Sequence, residues 1–118
     1  MRRTFNTDVL DQCLRRNRAE NETNRKRTVR QIMSALPKLA EKYGLREAYV
    51  FGSLTKPNGF RRNSDVDLAV EGLRNEDYFA LRAELVRAVG REIDILQLER
   101  HPWRERILES GIKWKTKN

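Results

Sequence analysis

Residues 49–67 read YVFGSLTKPNGFRRNSDVD. A short apolar run at 48–51 stops abruptly at Gly52-Ser53, and a basic, turn-rich stretch follows with Lys56, Pro57-Asn58-Gly59, Arg61 and Arg62. Next, Ser64-Asp65-Val66-Asp67-Leu68-Ala69-Val70 alternates carboxylates with apolar residues, the pattern of a strand. Successive strand side chains point to opposite faces, which puts Asp65 and Asp67 on one face, about 6–7 Å apart at Cα. Two carboxylates at that separation reach one hard cation or a pair of cations about 4 Å apart. Gly52 has no Cβ, so a phosphate chain can approach its backbone. Ser53 offers a hydroxyl and an N–H of the kind that binds anions. Lys56, Arg61 and Arg62 balance phosphate charge. Alone, a Gly-Ser after a strand is usually a turn, and an Asp-x-Asp is usually a solvated strand end. The order strand, Gly-Ser, basic loop, Asp-Val-Asp is far more specific than either.

The stretch resembles the signature of the nucleotidyltransferase superfamily related to DNA polymerase β, in which Gly-Ser is followed some ten residues later by Asp-x-Asp. Here 11 residues, 54–64, lie between Ser53 and Asp65. Where relatives often read Ala-Arg-Gly soon after Gly-Ser, this chain has Thr55-Lys56-Pro57, so Lys56 takes the place of the Arg as a phosphate contact. The short length points to the minimal nucleotidyltransferases, found beside small helical HEPN proteins in toxin–antitoxin pairs. The likeness extends over about residues 20–115.

Composition bounds the reading. The chain has 118 residues, 38% of them apolar and 36% charged, enough for one small domain with a modest core. A single cysteine, Cys13, makes no internal disulfide and no paired-Cys metal site, which points to a reducing cytoplasm. The basic start is followed by polar residues rather than by an apolar run of signal-peptide length, and no segment is suited to spanning a bilayer. The net charge of +8 is uneven: residues 1–46 hold 12 basic and 5 acidic side chains, a net of +7. Such a segment suits an acidic protein surface or RNA, or is a solvated helix face. No aromatic stacking signature accompanies it, so nucleic-acid binding is not favoured.

Along the chain, the spacing predicts a short helix over 7–19 with an apolar stripe of Val9, Leu10, Cys13 and Leu14. Residues 21–24 read as polar and loop-like, with a continuous helix through them left open. A stronger helix covers 24–43, since Val29, Ile32, Met33, Leu36, Leu39, Ala40 and Tyr43 fall at spacings of three and four. Pro37 predicts a kink or break there. Strands are expected at 47–51, 65–71 and 92–98, helices at 76–89 and 103–109, and a short last strand at 112–114. This is an α/β (α+β) pattern: a small mixed β-sheet with helices packed mainly on one face, preceded by N-terminal helices. The expected organisation is a basic helical extension over 1–24 and a minimal nucleotidyltransferase domain over 25–118. His101, before Pro102, reads as a helix-start residue.

Asp94 stands alone among Ile93, Ile95 and Leu96. Burying an isolated carboxylate is costly unless it is paired or metal-bound. On its own Asp94 fits a solvent face or an Arg partner. With the third strand beside the second, it completes a carboxylate cluster with Asp65 and Asp67, and the resemblance implies that arrangement.

The resemblance also implies the chemistry. Asp65, Asp67 and Asp94 are the expected catalytic residues and Mg²⁺ ligands. Gly52, Ser53 and Lys56 are the expected contacts for the ATP phosphates. The implied function is transfer of AMP from ATP to a hydroxyl, a tyrosine by resemblance, of a partner HEPN ribonuclease toxin, in a hetero-oligomer. Two alternatives stand beside it: a non-catalytic antitoxin that neutralises by binding, and transfer to a small molecule, for which the chain has no spare length to build an acceptor pocket.

Overall fold

The computed structural model describes residues 7–115. Its elements are α1 (Thr7–Tyr43), β1 (Glu47–Phe51), a 3₁₀ turn (Gly52–Thr55), β2 (Val66–Glu71), a second 3₁₀ turn (Asn75–Asp77), α2 (Tyr78–Val89), β3 (Ile93–Gln97), α3 (Arg104–Ser110) and β4 (Ile112–Lys115). Asn6 and Thr7, residue types suited to capping this helix, have side chains outside the described ones.

The two N-terminal helices expected from the sequence are one. Residues 21–24 are polar but contain no Gly or Pro, and they supply helix-compatible partners. Arg25 pairs with Glu22 one turn back at 3.0 Å. The hydroxyls of Thr23 and Thr28 donate to the carbonyls of Ala19 and Asn24 at 3.0 and 2.7 Å. The helix also runs unbroken through Pro37. That ring lies on the exposed side of the helix, away from the core. At 37 residues, α1 is about 55 Å long. Residues 8–20 are all exposed, including Val9, Leu10 and Leu14, and burial begins only at residue 21.

The four strands form one sheet in the order β3-β2-β1-β4. β1 runs antiparallel to β2 and β4, while β2 and β3 are parallel and joined through α2. Strand alternation sorts the side chains. Ala48, Val50, Val66, Leu68, Val70, Ile93 and Ile95 face α1 and α2, where they meet Ile32, Leu36, Leu81 and Leu85 in the main core. Full burial of a side chain such as Leu68 is worth about 1.5–3 kcal/mol. The opposite face carries a smaller cluster of Tyr49, Ala69, Leu98 and Ile107, with Phe51, Leu96 and Leu108 against it. Among the described helices, the short α3 is the one that contributes to that cover, so the helices do pack mainly on one face. Glu84 of α2 ties the two larger helices together by accepting from Tyr43 Oη and from Lys42 Nζ, the latter at 3.1 Å. No helix among the described residues is long and apolar enough to cross a membrane.

Candidate active site

The site forms on the thinly covered sheet face, where β1 ends and β2 and β3 begin. Phe51, Asp67 and Asp94 are register partners across three adjacent strands: Phe51 lies opposite Asp67, and Asp67 lies beside Asp94 in the parallel pair. Neighbouring strands are about 4.8 Å apart, so the two carboxylates stand side by side on one face. Asp65 lies just ahead of β2, which begins at Val66 and not at 65, and it is exposed.

Asp67 is half-buried while Asp94 is exposed. Burial, then the Asp94 charge, then the Asp65 charge raise the pKa of Asp67 above its ordinary 3.8. Among the described residues, none of the three carboxylates has a hydrogen bond or an ion pair. They interact through space, yet no three Asp, Glu, His or Cys side chains among the described residues close into a ready metal cage. The three carboxylates thus gather negative charge at one place, and among the described residues no side-chain cation is paired with them. Hard oxygen donors in that arrangement suit a hard divalent cation, and Mg²⁺ is usually held by one or two carboxylates together with substrate phosphates.

Gly52 begins the 3₁₀ turn with φ +74°, a left-handed conformation that side chains rarely adopt. A β-carbon at Gly52 would overlap Asp67 Oδ2 and lie 3.4 Å from Asp67 Cγ. The missing side chain thus makes room for a carboxylate of the site itself. The turn closes when Thr55 Oγ1 donates to the Gly52 carbonyl at 2.7 Å, and the fully buried Leu54 pins it to the core. Ser53 is half-buried, and its carbonyl accepts from the Lys56 N–H at 3.3 Å. Lys56, Arg61 and Arg62 are exposed.

Three residues that hold this loop carried no weight in the sequence reading. Arg25 Nη1 donates to the Leu54 carbonyl at 3.0 Å, and Glu22 Oε1 accepts from the Asn58 N–H at 2.6 Å. Arg91 stacks over the Phe60 ring at 4.5 Å and donates to the Arg62 carbonyl at 3.0 Å. The spacing of three between Glu22 and Arg25 was the one local signal. Nothing local marks Arg91. His101 serves the start of α3, its Nδ1 accepting from the Trp103 N–H at 3.0 Å. It lies beyond the C-terminal end of β3, whereas Asp94 is near the N-terminal end.

The chain resembles known proteins over most of its length. A family model described as polymerase beta nucleotidyltransferase matches residues 34–118. A search of the curated proteins finds no match. Among solved structures, a chain described as a minimal nucleotidyltransferase is 30% identical with a TM-score of 0.62, over 73% of this chain and 92% of that one. A chain from a toxin–antitoxin structure with AMP-PNP is 26% identical with a TM-score of 0.59, over 72% and 74% of the two chains.

Proposed function

Because the chain belongs to the polymerase beta nucleotidyltransferase family over residues 34–118, we propose that it transfers AMP from ATP to a tyrosine hydroxyl of a partner HEPN ribonuclease toxin and so neutralises it. The observation that carries this reading is the placement of Asp67 beside Asp94, with Gly52 of the Gly52-Ser53 turn against Asp67. The partner class rests on the resemblance and on the similar toxin–antitoxin chain whose structure includes an ATP analogue.

In this reading the Gly52-Ser53 turn and Lys56 bind the triphosphate, with Arg61 and Arg62 adding positive charge at the rim. Asp65, Asp67 and Asp94 would hold Mg²⁺, which would supply Lewis-acid stabilisation to the phosphate. The tyrosine oxygen attacks the α-phosphorus in line. A new O–P bond forms, the bond from that phosphorus to the bridging oxygen breaks, and pyrophosphate leaves. Asp94, exposed on the neighbouring strand, takes the hydroxyl proton. Burial of Asp67 beside a like charge keeps its carboxylate high in energy until positive charge arrives. The exposed N-terminal part of α1, residues 8–20, acts as an extension that meets the partner, and the protein works in the cytoplasm.

The test is transfer of label from α-labelled ATP to a HEPN ribonuclease partner, read on a denaturing gel. Label on the partner tyrosine is expected, dependent on Mg²⁺. An unlabelled partner in a complex that still neutralises the toxin overturns the reading in favour of neutralisation by binding.

A further inference from the structure

The loop between β1 and β2 is held from outside by the long helix. Arg25 reaches it with Nη1, which donates to the Leu54 carbonyl at 3.0 Å, immediately after Ser53. Glu22 reaches it with Oε1, which accepts from the Asn58 N–H at 2.6 Å. The two side chains are locked to each other: Arg25 Nε donates to Glu22 Oε1 and Oε2 at 3.1 and 3.2 Å, and Nη2 to Oε2 at 3.0 Å. Their side chains are only 14% and 26% exposed, so water competes weakly for these bonds. Lys56 sits midway between the two anchored residues, and its own backbone joins them: its N–H donates to the Ser53 carbonyl and its carbonyl accepts from the Gly59 N–H at 3.0 Å. Asn58 is held at φ +63°, a left-handed conformation that asparagine tolerates better than other side-chain-bearing residues. Charge-assisted bonds of this kind are the stronger class and are directional.

We propose that the Glu22–Arg25 pair of α1 is a positioning device for the phosphate-binding loop, fixing Ser53 and Lys56 relative to Asp67 so that the triphosphate meets a preformed cradle. Neither side chain touches the reacting atoms. The inference rests on the nucleotidyltransferase reading above and adds to it a part that the Gly-Ser and Asp-x-Asp motifs do not contain. A loop of this composition, with Pro57-Asn58-Gly59 at its tip, samples many conformations when free, and each is charged against nucleotide affinity. Holding it at residues 54 and 58 removes that cost before binding.

The experiment measures Mg²⁺-ATP affinity, transfer kinetics, melting temperature and the hydrogen exchange of the Asn58 amide in the full chain. Native protein is compared with Arg25→Ala, Arg25→Lys and Glu22→Gln. The expected result is faster Asn58 exchange and an ATP KM raised about tenfold in Arg25→Ala, with kcat changed much less. Arg25→Lys recovers part of the affinity, because an ammonium reaches one of the two partners but lacks the planar fork. Glu22→Gln keeps the shape, weakens the bond to Asn58, and serves if Arg25→Ala fails to fold. Native ATP affinity in Arg25→Ala and Glu22→Gln, alongside faster Asn58 exchange, overturns the proposal while leaving the enzyme reading intact. Absence of ATP binding by the native protein overturns both.

Discussion

The carboxylate of Asp67 occupies the space that a side chain at residue 52 would need. Gly52 adopts φ +74°, and a β-carbon there would overlap Asp67 Oδ2. The glycine of the turn and the carboxylate of β2 are therefore one structural unit, though 14 residues lie between them in sequence.

Gly52→Ala is expected to damage the chemistry more than the fold. The left-handed backbone costs alanine about 1–2 kcal/mol, and the new methyl pushes Asp67 out of line. A displacement of about 1 Å in a reacting group lowers rates about 100-fold. Single-turnover transfer should fall by that order while far-UV circular dichroism stays native. An unchanged rate would separate Gly52 from the site.

Asp67→Asn should melt at a higher temperature than the native protein when metal is absent and the pH is neutral. Asp67 is half-buried beside Asp94 and Asp65 without a partner, and its folded pKa is raised. A raised carboxylate pKa means that the charged form is penalised by folding, so the penalty is fully present above the folded pKa, fades as the pH falls through it, and is gone below the ordinary 3.8. The difference in melting temperature should shrink along the same course. Nucleotide transfer should be lost in the same variant. A lower melting temperature at neutral pH would contradict the crowded-carboxylate assignment.

Asp94→Asn should divide binding from catalysis. Asparagine fills nearly the same space but accepts no proton at neutral pH, and loss of a general base costs about 10²–10⁴-fold in rate. Calorimetry should still detect Mg²⁺-ATP, and partner pull-down should be unaffected. Cells carrying the toxin should stay poisoned; full protection by this variant would mean that neutralisation needs no transfer.

Glu84→Gln probes the lock between α1 and α2. Glu84 accepts from Tyr43 and Lys42, and those bonds hold its pKa below the ordinary 4.5. A depressed carboxylate pKa stabilises the fold above the unfolded value and loses that contribution as the pH falls through the folded one. The variant should melt lower than the native protein near neutrality, and the two should converge in acid. Parallel melting curves at all pH values would show that the contact contributes nothing.

Replacing Arg15, Arg16 and Arg18 by glutamine should weaken partner association at low salt and have little effect at high salt. All three are exposed on a stretch of α1 where every residue from 8 to 20 is exposed. Exposed charges steer encounter and are screened beyond about 10 Å at 0.1 M salt. The measurement is the association rate by surface plasmon resonance at two ionic strengths. Equal rates at low salt would reduce the three arginines to a solvated face.

Much of this protein was legible in its sequence because the signals are local. Alternation over residues 66–71 encodes a strand with one buried face, and spacings of three and four over residues 29–43 encode a helix with one buried stripe. The order of Gly-Ser and Asp-Val-Asp identified the chemistry, since both flank a single loop. What the tertiary structure decided depends on contacts between distant residues. Asp94 became a member of the site through the parallel register of β2 and β3, which puts it beside Asp67. The N-terminal region became one helix because residues 21–24 lack a breaker, and polar side chains there serve the loop: Glu22 holds Asn58 across 36 positions of chain and the neighbouring Arg25 holds Leu54 across 29. A polar residue in sequence carries no address. Whether it meets water or a backbone group is settled only when the core folds and brings the two together.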